Sequence, residues 1–253
     1  MERTDYIFGI RAVIEAIEAG RDIDKVLIRK DLQGGELLSE LLDVMRRYGV
    51  VSQRVPLEKI NKITRKNHQG VVALLSAVTY HSLDNLVPQI YEDGLVPFLV
   101  LLDGITDVRN FGAIARTAEC VGADAIVIPE RGSVGVGGDA VKTSAGALLH
   151  LPVCRCRNIL SAVLFLKDNG YKIVAASEKA NTNYTEPDYT GPVAIVMGAE
   201  DIGISPEVLR HCDTMVAIPQ FGHIGSLNVS VAAGVMMYEV VRQRLNSGMS
   251  AHK

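Results

Sequence analysis

From residue 98 onward the chain repeats one alternation, in which a short uninterrupted apolar run is followed by a segment with helical spacing. The clearest run is Phe98-Leu99-Val100-Leu101-Leu102, and further strands are expected at 125–128, 153–156, 172–176, 193–197 and 215–218. A run with no polar alternation suits a strand covered on both faces. Helical segments are expected between them at 111–121, 139–148, 159–167 and 206–211. This order predicts an α/β fold with a mainly parallel sheet and helices on both of its faces. Ligands in such sheets bind beyond the carboxyl ends of the strands, so the polar loops that follow the strands are the places to search.

The front of the chain reads as a separate small α/β domain over residues 1–78. A helix is expected at 9–19, where Ala12, Val13, Ala16 and Ile17 share one face, and another at 36–48, where Leu37, Leu38, Leu41, Leu42 and Met45 point inward. Strands are expected at 26–28, 50–55 and 71–75, with a short helix at 57–64. The more polar stretch 79–96, punctuated by Gly94, reads as a linker or bridging helix, and the second domain occupies 97–253. A length of 253 residues accommodates two such domains.

Hydrophobic residues make up 48% and charged residues 22% of the chain, which supports a sizeable core and argues against disorder. No apolar stretch reaches the roughly 18 residues of a membrane span, and Met1-Glu2-Arg3-Thr4-Asp5 lacks a signal-peptide pattern. A soluble, cytoplasmic protein with no membrane partner is therefore expected. Cys120, Cys154, Cys156 and Cys212 show no C-x-x-C spacing, so neither a disulfide framework nor a metal site is expected. The net charge of −3 is unevenly distributed: residues 1–78 carry 13 Lys and Arg against 11 Asp and Glu, and the remainder carries 13 against 18. Arg54, Lys59, Lys62, Arg65 and Lys66 face only Glu58 between residues 54 and 68. Such a patch suits phosphate contacts, although a solvated helix face would look the same.

Four loops at strand ends bear on chemistry. Gly135-Val136-Gly137-Gly138-Asp139-Ala140 fits the G-x-G-x-x-A pattern of a dinucleotide turn, but Arg155-Cys156-Arg157-Asn158 stands where a ribose-binding acid belongs, so a flexible glycine loop is expected. In the loop 102–116, Arg116 lies about 200° around the helix from Ile114, so it points away from the core toward solvent or an anion. In the loop 196–206, Gly198 and Gly203 permit close backbone approach and Glu200 sets a carboxylate beside it, while Ser205-Pro206 reads equally as a helix start. The last loop leads from Ile218 through Gly222, Gly225, Ser226 and Asn228 into a helix that is apolar almost all round from 229 to 237. Such a helix is expected to be buried on all sides.

Together, N-x-G-x-x-x-R at 110–116, G-x-E-x-x-G at 198–203 and I-P-x-x-G-x-x-x-S-L-N-V-S-V-A at 218–232 resemble the three motifs of the SpoU (TrmH) family of RNA ribose methyltransferases, within the SPOUT superfamily. The segments Gly9-Ile10-Arg11-Ala12-Val13-Ile14-Glu15-Ala16 and His68-Gln69-Gly70-Val71 resemble the substrate-binding domain, of the ribosomal protein L30e type, found in the large-subunit ribosomal RNA guanosine 2′-O-methyltransferases of that family.

The resemblance implies a deep trefoil knot at the C-terminus, a homodimer through the knotted region, and S-adenosylmethionine (AdoMet) bound by the knot loops, with no metal. Met197, Gly198, Ile218 and Leu227 fall where the family contacts the cofactor. Asn110, Arg116, Glu200, Ser226 and Asn228 fall where it places its catalytic polar residues. The implied activity is methylation of a ribose 2′-hydroxyl, of a guanosine in 23S ribosomal RNA. The alternatives are a transfer-RNA guanosine methyltransferase of the same family, a ribosomal RNA adenosine methyltransferase conferring antibiotic resistance, and a catalytically silent RNA-binding assembly factor.

Overall fold

The computed structural model describes residues 6–249; the expectation about Met1–Asp5 and the last four residues of the second domain lie outside the described residues. The chain divides into two compact units, the first running to Thr79 and including Gly135–Asp139, the second comprising Tyr80–Val134 and the chain from Ala140.

The first unit runs β1 (Tyr6–Phe8), α1 (Ile10–Glu18), β2 (Ile23–Arg29), α2 (Glu36–Arg47), β3 (Ser52–Val55), α3 (Leu57–Asn61) and β4 (Val71–Leu75). Its sheet has the order β1-β4-β2-β3, antiparallel except for the β2–β3 pair. The helical faces of α1 and α2 cover one side, burying Val13, Ile17, Leu41 and Val44 against Val26 and Val71. The segment His68-Gln69-Gly70-Val71 works as a structural turn. His68 Nδ1 accepts the Gly70 N–H at 2.9 Å, which makes Nε2 the protonated nitrogen, donating to Asn61 Oδ1 at 3.1 Å. Gln69, at φ 52°, accepts the Ile10 N–H through Oε1 at 3.2 Å, so its side chain satisfies an otherwise orphaned donor at the start of α1. The G-x-G-x-x-A loop is also engaged in packing: Val136 O accepts from the Ala77 N–H at 2.8 Å and from Ser76 Oγ at 3.3 Å.

The second unit contains β5 (Tyr80–His81), α4 (Leu83–Glu92), β6 (Phe98–Asp103), α5 (Val108–Cys120), β7 (Ala125–Pro129), α6 (Gly138–Thr143, its first two residues counted with the first unit), β8 (Val153–Cys156), α7 (Ile159–Asp168), β9 (Lys172–Ala176), β10 (Thr182–Asn183), β11 (Val193–Gly198), α8 (Pro206–Leu209), β12 (Thr214–Ala217) and α9 (Val229–Asn246). The strands form one eight-stranded sheet in the order β10-β12-β9-β11-β6-β7-β8-β5. Every neighbouring pair is parallel, which is more uniform than the mainly parallel sheet expected. Phe98 to Leu102 are all buried, in keeping with a central strand covered on both faces.

Of the two readings of 79–96, linker or bridging helix, the structure shows a helix. The stretch holds β5, which pairs with β8, and α4, whose Leu83, Val87 and Ile90 are buried, the first two in the core of the second unit. Leu83, Val87 and Ile90 are spaced i, i+4, i+7, so α4 has a continuous apolar stripe to bury. Pro88 sits inside α4 and interrupts the signal that the sequence would otherwise carry.

Helix α9 differs from expectation. It buries Val229, Ala233, Met236, Met237 and Val240 and packs on α5, yet it leaves Val231, Tyr238 and Leu245 at 52%, 55% and 56% exposure. These three are spaced by seven residues and share one face. The far end is anchored by Arg244, which donates to the carbonyls of Val96, Pro97, Tyr189 and Gly191.

All four cysteines are free thiols. Burial pushes the Cys154 thiol up to about 12, and burial followed by the nearby Glu130 carboxylate does the same to Cys156, so neither offers a thiolate at neutral pH. No cluster of three His, Cys, Asp or Glu side chains suited to a metal occurs among the described residues. No helix of the described residues is long and apolar enough to cross a membrane.

Candidate active site

Because the large sheet is parallel throughout, the loops after β6, β9, β11 and β12 all leave from one edge. Strand register brings two of them together: Asp103, the last residue of β6, pairs with Gly198, the last of β11. The Asp103 carboxylate then accepts the Ser205 N–H at 2.8 Å, fixing the start of α8 and the end of the 198–205 loop. Ser205 and Pro206 are the N-cap and first residue of that helix, the helix-start reading of the pair.

The 198–203 loop doubles back on itself. Ala199 bridges Gly203, whose N–H donates to Ala199 O at 2.8 Å while its own φ is +74°. A Cβ on Gly198 would lie 2.3 Å from the backbone of Gly203 and Ile204, so only glycine fits there.

Three of the five polar residues singled out in the sequence form one hydrogen-bonded cluster. Asp107 caps α5 by accepting from the N–H groups of Arg109 and Asn110, which sets Asn110 in the first turn. Asn228 caps α9, its Oδ1 accepting from the Ser230 and Val231 N–H groups and from Ser230 Oγ at 2.6 Å. That cap fixes the amide, so Nδ2 faces the other way. It donates to Glu200 Oε1 at 2.6 Å and to Asn110 Oδ1 at 2.9 Å. Asn110 Nδ2 and the Val229 N–H also donate to Glu200 Oε1, at 3.2 and 3.3 Å. One carboxylate oxygen thus ties the start of α5, the 198–203 loop and the start of α9 together. Glu200 Oε2 has no hydrogen-bond partner among the described residues.

Beside this cluster lies an open cleft of about 620 Å³, open solvent included, bounded by the ends of β9, β11 and β12. Met197, Gly198, Ile218 and Leu227 line it, as do Glu200 and Ser226. Its remaining walls come from Ala176, Ser177 and Glu178 after β9, from Gly203, Val216 and Gln220, and from Val229 and Ala232 of α9. Of these, Gly203 is singled out in the sequence and the others are not assigned a role there. The strand-end rule could have found the Ala176–Glu178 group, which directly follows a parallel strand. The loop leading to α9 is largely exposed, with Phe221 at 98% and Ile224 at 78%.

Arg116 stands apart from these interactions. It is exposed on α5, six residues beyond Asn110, and it has no ion pair or hydrogen bond among the described residues. It is not among the residues that line the cleft.

Residues 97–238 match the model of the SpoU rRNA Methylase family, and residues 6–81 match that of the RNA 2′-O ribose methyltransferase substrate binding domain. The chain belongs to the SpoU methylase family. It is an RNA ribose 2′-O-methyltransferase of that family, also called TrmH. A relative in Staphylococcus saprophyticus, named only provisionally as a TrmH family tRNA/rRNA methyltransferase, is 40% identical over 94% of this chain and 95% of its own. Among solved structures, an AdoMet-bound rRNA methyltransferase from Sinorhizobium meliloti is similar over 94% of this chain and 86% of its own, with 27% identity and a TM-score of 0.60. A TrmH/SpoU tRNA modifying enzyme from A. aeolicus is 32% identical with a TM-score of 0.55, covering 61% of this chain and 78% of its own.

Proposed function

We propose that this family member methylates the 2′-hydroxyl of a guanosine in 23S ribosomal RNA, in the cytoplasm, using AdoMet. The observation that carries the ribosomal reading is coverage. The S. meliloti rRNA methyltransferase is similar along 94% of the chain, whereas the A. aeolicus tRNA modifying enzyme is similar along 61%. Under this reading residues 1–78 select the RNA, and the chain from residue 97 carries the chemistry. Incubating the protein with AdoMet carrying a radiolabelled methyl, and with either unmodified 23S rRNA or unmodified tRNA, tests the choice. Label in 2′-O-methylguanosine from the rRNA is expected; label in tRNA alone would overturn it.

The cleft fits AdoMet in three respects. Met197, Val216, Ile218 and Leu227 give apolar walls for an adenine ring, and Gly198 and Gly203 bring backbone groups close to a ligand. Glu178 and Glu200 add carboxylates to its lining, which would suit a cationic group on the ligand. When bound, AdoMet supplies an activated methyl group that an in-line nucleophile can take.

The protein's own part is alignment and charge. Asn110 and Asn228 hold Glu200 through Oε1, which leaves Oε2 to accept a hydrogen bond from the ribose hydroxyl. Ser226 at the cleft wall adds an adaptable hydroxyl. Arg116 cannot serve as a base, because a guanidinium is permanently protonated. Its free fork instead stabilises the developing alkoxide or grips the adjacent phosphate.

The homodimer belongs to the same reading. The stripe Val231, Tyr238 and Leu245 on α9 is an apolar face exposed among the described residues, and a second copy would bury it. Val231→Asp combined with Tyr238→Asp should give monomers in light scattering; a dimer that survives both changes would contradict it. The resemblance further supports a trefoil knot through the threaded C-terminal segment. Pulling the two termini apart should give a contour shorter than the roughly 3.4 Å per residue of an open chain. Full extension would rule the knot out.

A further inference from the structure

The sheet of the first unit is covered unequally. On the side opposite α1 and α2 lies a small cluster, Leu27, Val55, Ile60 and Val72, under the five-residue helix α3. Helix α3 packs on β2, whereas β1 is an edge strand on the far side of β4. Tyr6 and Phe8, two residues apart on β1, therefore point to the same face and remain only half-buried at its margin. Their ring centroids lie 6.3 Å apart with the planes tilted by 41°. Lys66 Nζ stands 5.8 Å from the Phe8 centroid, so the ring presents its face to a cation arriving from outside the core.

The charge around this margin is unbalanced. Lys59, Lys62, Arg65 and Lys66 are all exposed or nearly so, and none forms an ion pair among the described residues. Arg54, read in the sequence as part of the same basic patch, is held elsewhere: its guanidinium donates to Arg29 O and Leu32 O at 3.1 and 3.0 Å. It anchors the turn after β2 and drops out of the patch. What remains is two partly open aromatic rings with Lys66 beside one of them, and three more exposed cations, Lys59, Lys62 and Arg65, on the same stretch of chain as Lys66. A core-filling role explains why Tyr6 and Phe8 are apolar, but not why Lys66, with no ion pair among the described residues, stands over the Phe8 ring in a stretch whose four exposed cations are matched by Glu58 alone.

We propose that this margin is a stacking platform for an unpaired base in a single-stranded stretch of the RNA substrate. Phe8 and Tyr6 take the base, and Lys59, Lys62, Arg65 and Lys66 take the flanking phosphates. Bases are read in RNA mainly where they are unstacked, and every base offers a face to an aromatic ring. On binding, Lys66 leaves the Phe8 ring for a phosphate, and the base replaces it. The proposal rests on the RNA-methyltransferase reading, since it names the kind of RNA that the first unit selects.

The test uses the full-length protein and two fluorescent RNA probes of one sequence, one unpaired and one closed into a duplex by its complement. The unpaired probe should bind more tightly. Phe8→Leu keeps the apolar packing and removes the ring, and should weaken that binding by roughly 5- to 100-fold, while Phe8→Trp restores it. Changing Lys59, Lys62, Arg65 and Lys66 to Gln should flatten the dependence of affinity on salt, by about 0.7 in slope for each phosphate no longer neutralised. Calorimetric AdoMet binding should be unchanged in every variant. Equal binding by Phe8→Leu, or preference for the duplex, would overturn the platform even if the enzyme methylates RNA. Failure to methylate any RNA, with the Phe8 effect intact, would overturn the activity and leave the platform standing.

Discussion

Replacing Arg116 by alanine is expected to lower methyl transfer by about 10²- to 10³-fold, the usual cost of removing a group that stabilises developing negative charge. AdoMet affinity should be retained, because Arg116 does not line the cleft and holds no other residue in place among those described. Arg116→Lys should recover only part of the rate, since an ammonium keeps the charge but loses the planar two-pronged fork. Single-turnover rates measured with saturating AdoMet, alongside calorimetric AdoMet binding, separate these effects. If Arg116→Ala lost cofactor binding together with rate, Arg116 would belong to the cofactor site, and the separation between a cofactor-holding cleft and a substrate-facing arginine would fail.

The second large effect is expected at Gly198. The added methyl group of Gly198→Ala would lie 2.3 Å from the carbonyl carbon of Gly203 and from the amide nitrogen of Ile204, and backbone atoms cannot swing away as a side-chain end can. Relieving that overlap requires the 198–203 loop to open, and overpacking of this kind typically costs about 1–3 kcal/mol. The loop forms a wall of the cleft and carries Glu200, so the cost falls on cofactor binding, with AdoMet affinity lower by up to about 100-fold. Gly203→Ala is the instructive comparison. Nothing lies within 4 Å of its added methyl group, and the only penalty is the positive φ of +74°, about 1–2 kcal/mol. Gly198→Ala should therefore be the more damaging of the two, and unchanged AdoMet affinity in it would show that the loop is looser than its geometry indicates.

Parallel strands buried on both faces announce themselves as continuous apolar runs, which is why the central strands of the large sheet are legible in the sequence alone. Strands β5 and β10 are two residues long and carry no such run, so they emerge only from their pairing partners. Helix α4 is legible only as one of two readings of 79–96, a bridging helix or a linker, because its apolar stripe is interleaved with polar residues and Pro88 falls within it. The expectation for α9 fails in a more general way. An all-round apolar helix looks the same whether its own chain or a second copy covers it, and Val231, Tyr238 and Leu245 are exposed among the described residues.

The site shows the same boundary. Motif spacing identifies Asn110, Glu200 and Asn228 as polar residues at loop ends, but the pairs among them are separated by 90, 28 and 118 positions along the chain. Only the order of strands in the sheet makes them neighbours. What the motif does not convey is that Asn228 is already engaged as a helix cap, which turns its amide nitrogen toward Glu200 Oε1 and leaves Oε2 without a partner among the described residues. The turn residues His68 and Gln69 are similarly visible as a pattern, while their role in holding β4 and α1 required the hydrogen bonds themselves.

Under the proposed function, one guanosine ribose in 23S rRNA depends on this protein for its 2′-O-methyl group. A nucleotide-resolution map of ribose methylation across all rRNA and tRNA, in cells with and without the gene, tests it most directly. The account predicts the loss of a single 2′-O-methylguanosine in 23S rRNA, restored by the intact gene and not by one encoding Arg116→Ala. An unchanged map, or a loss confined to tRNA, would contradict it.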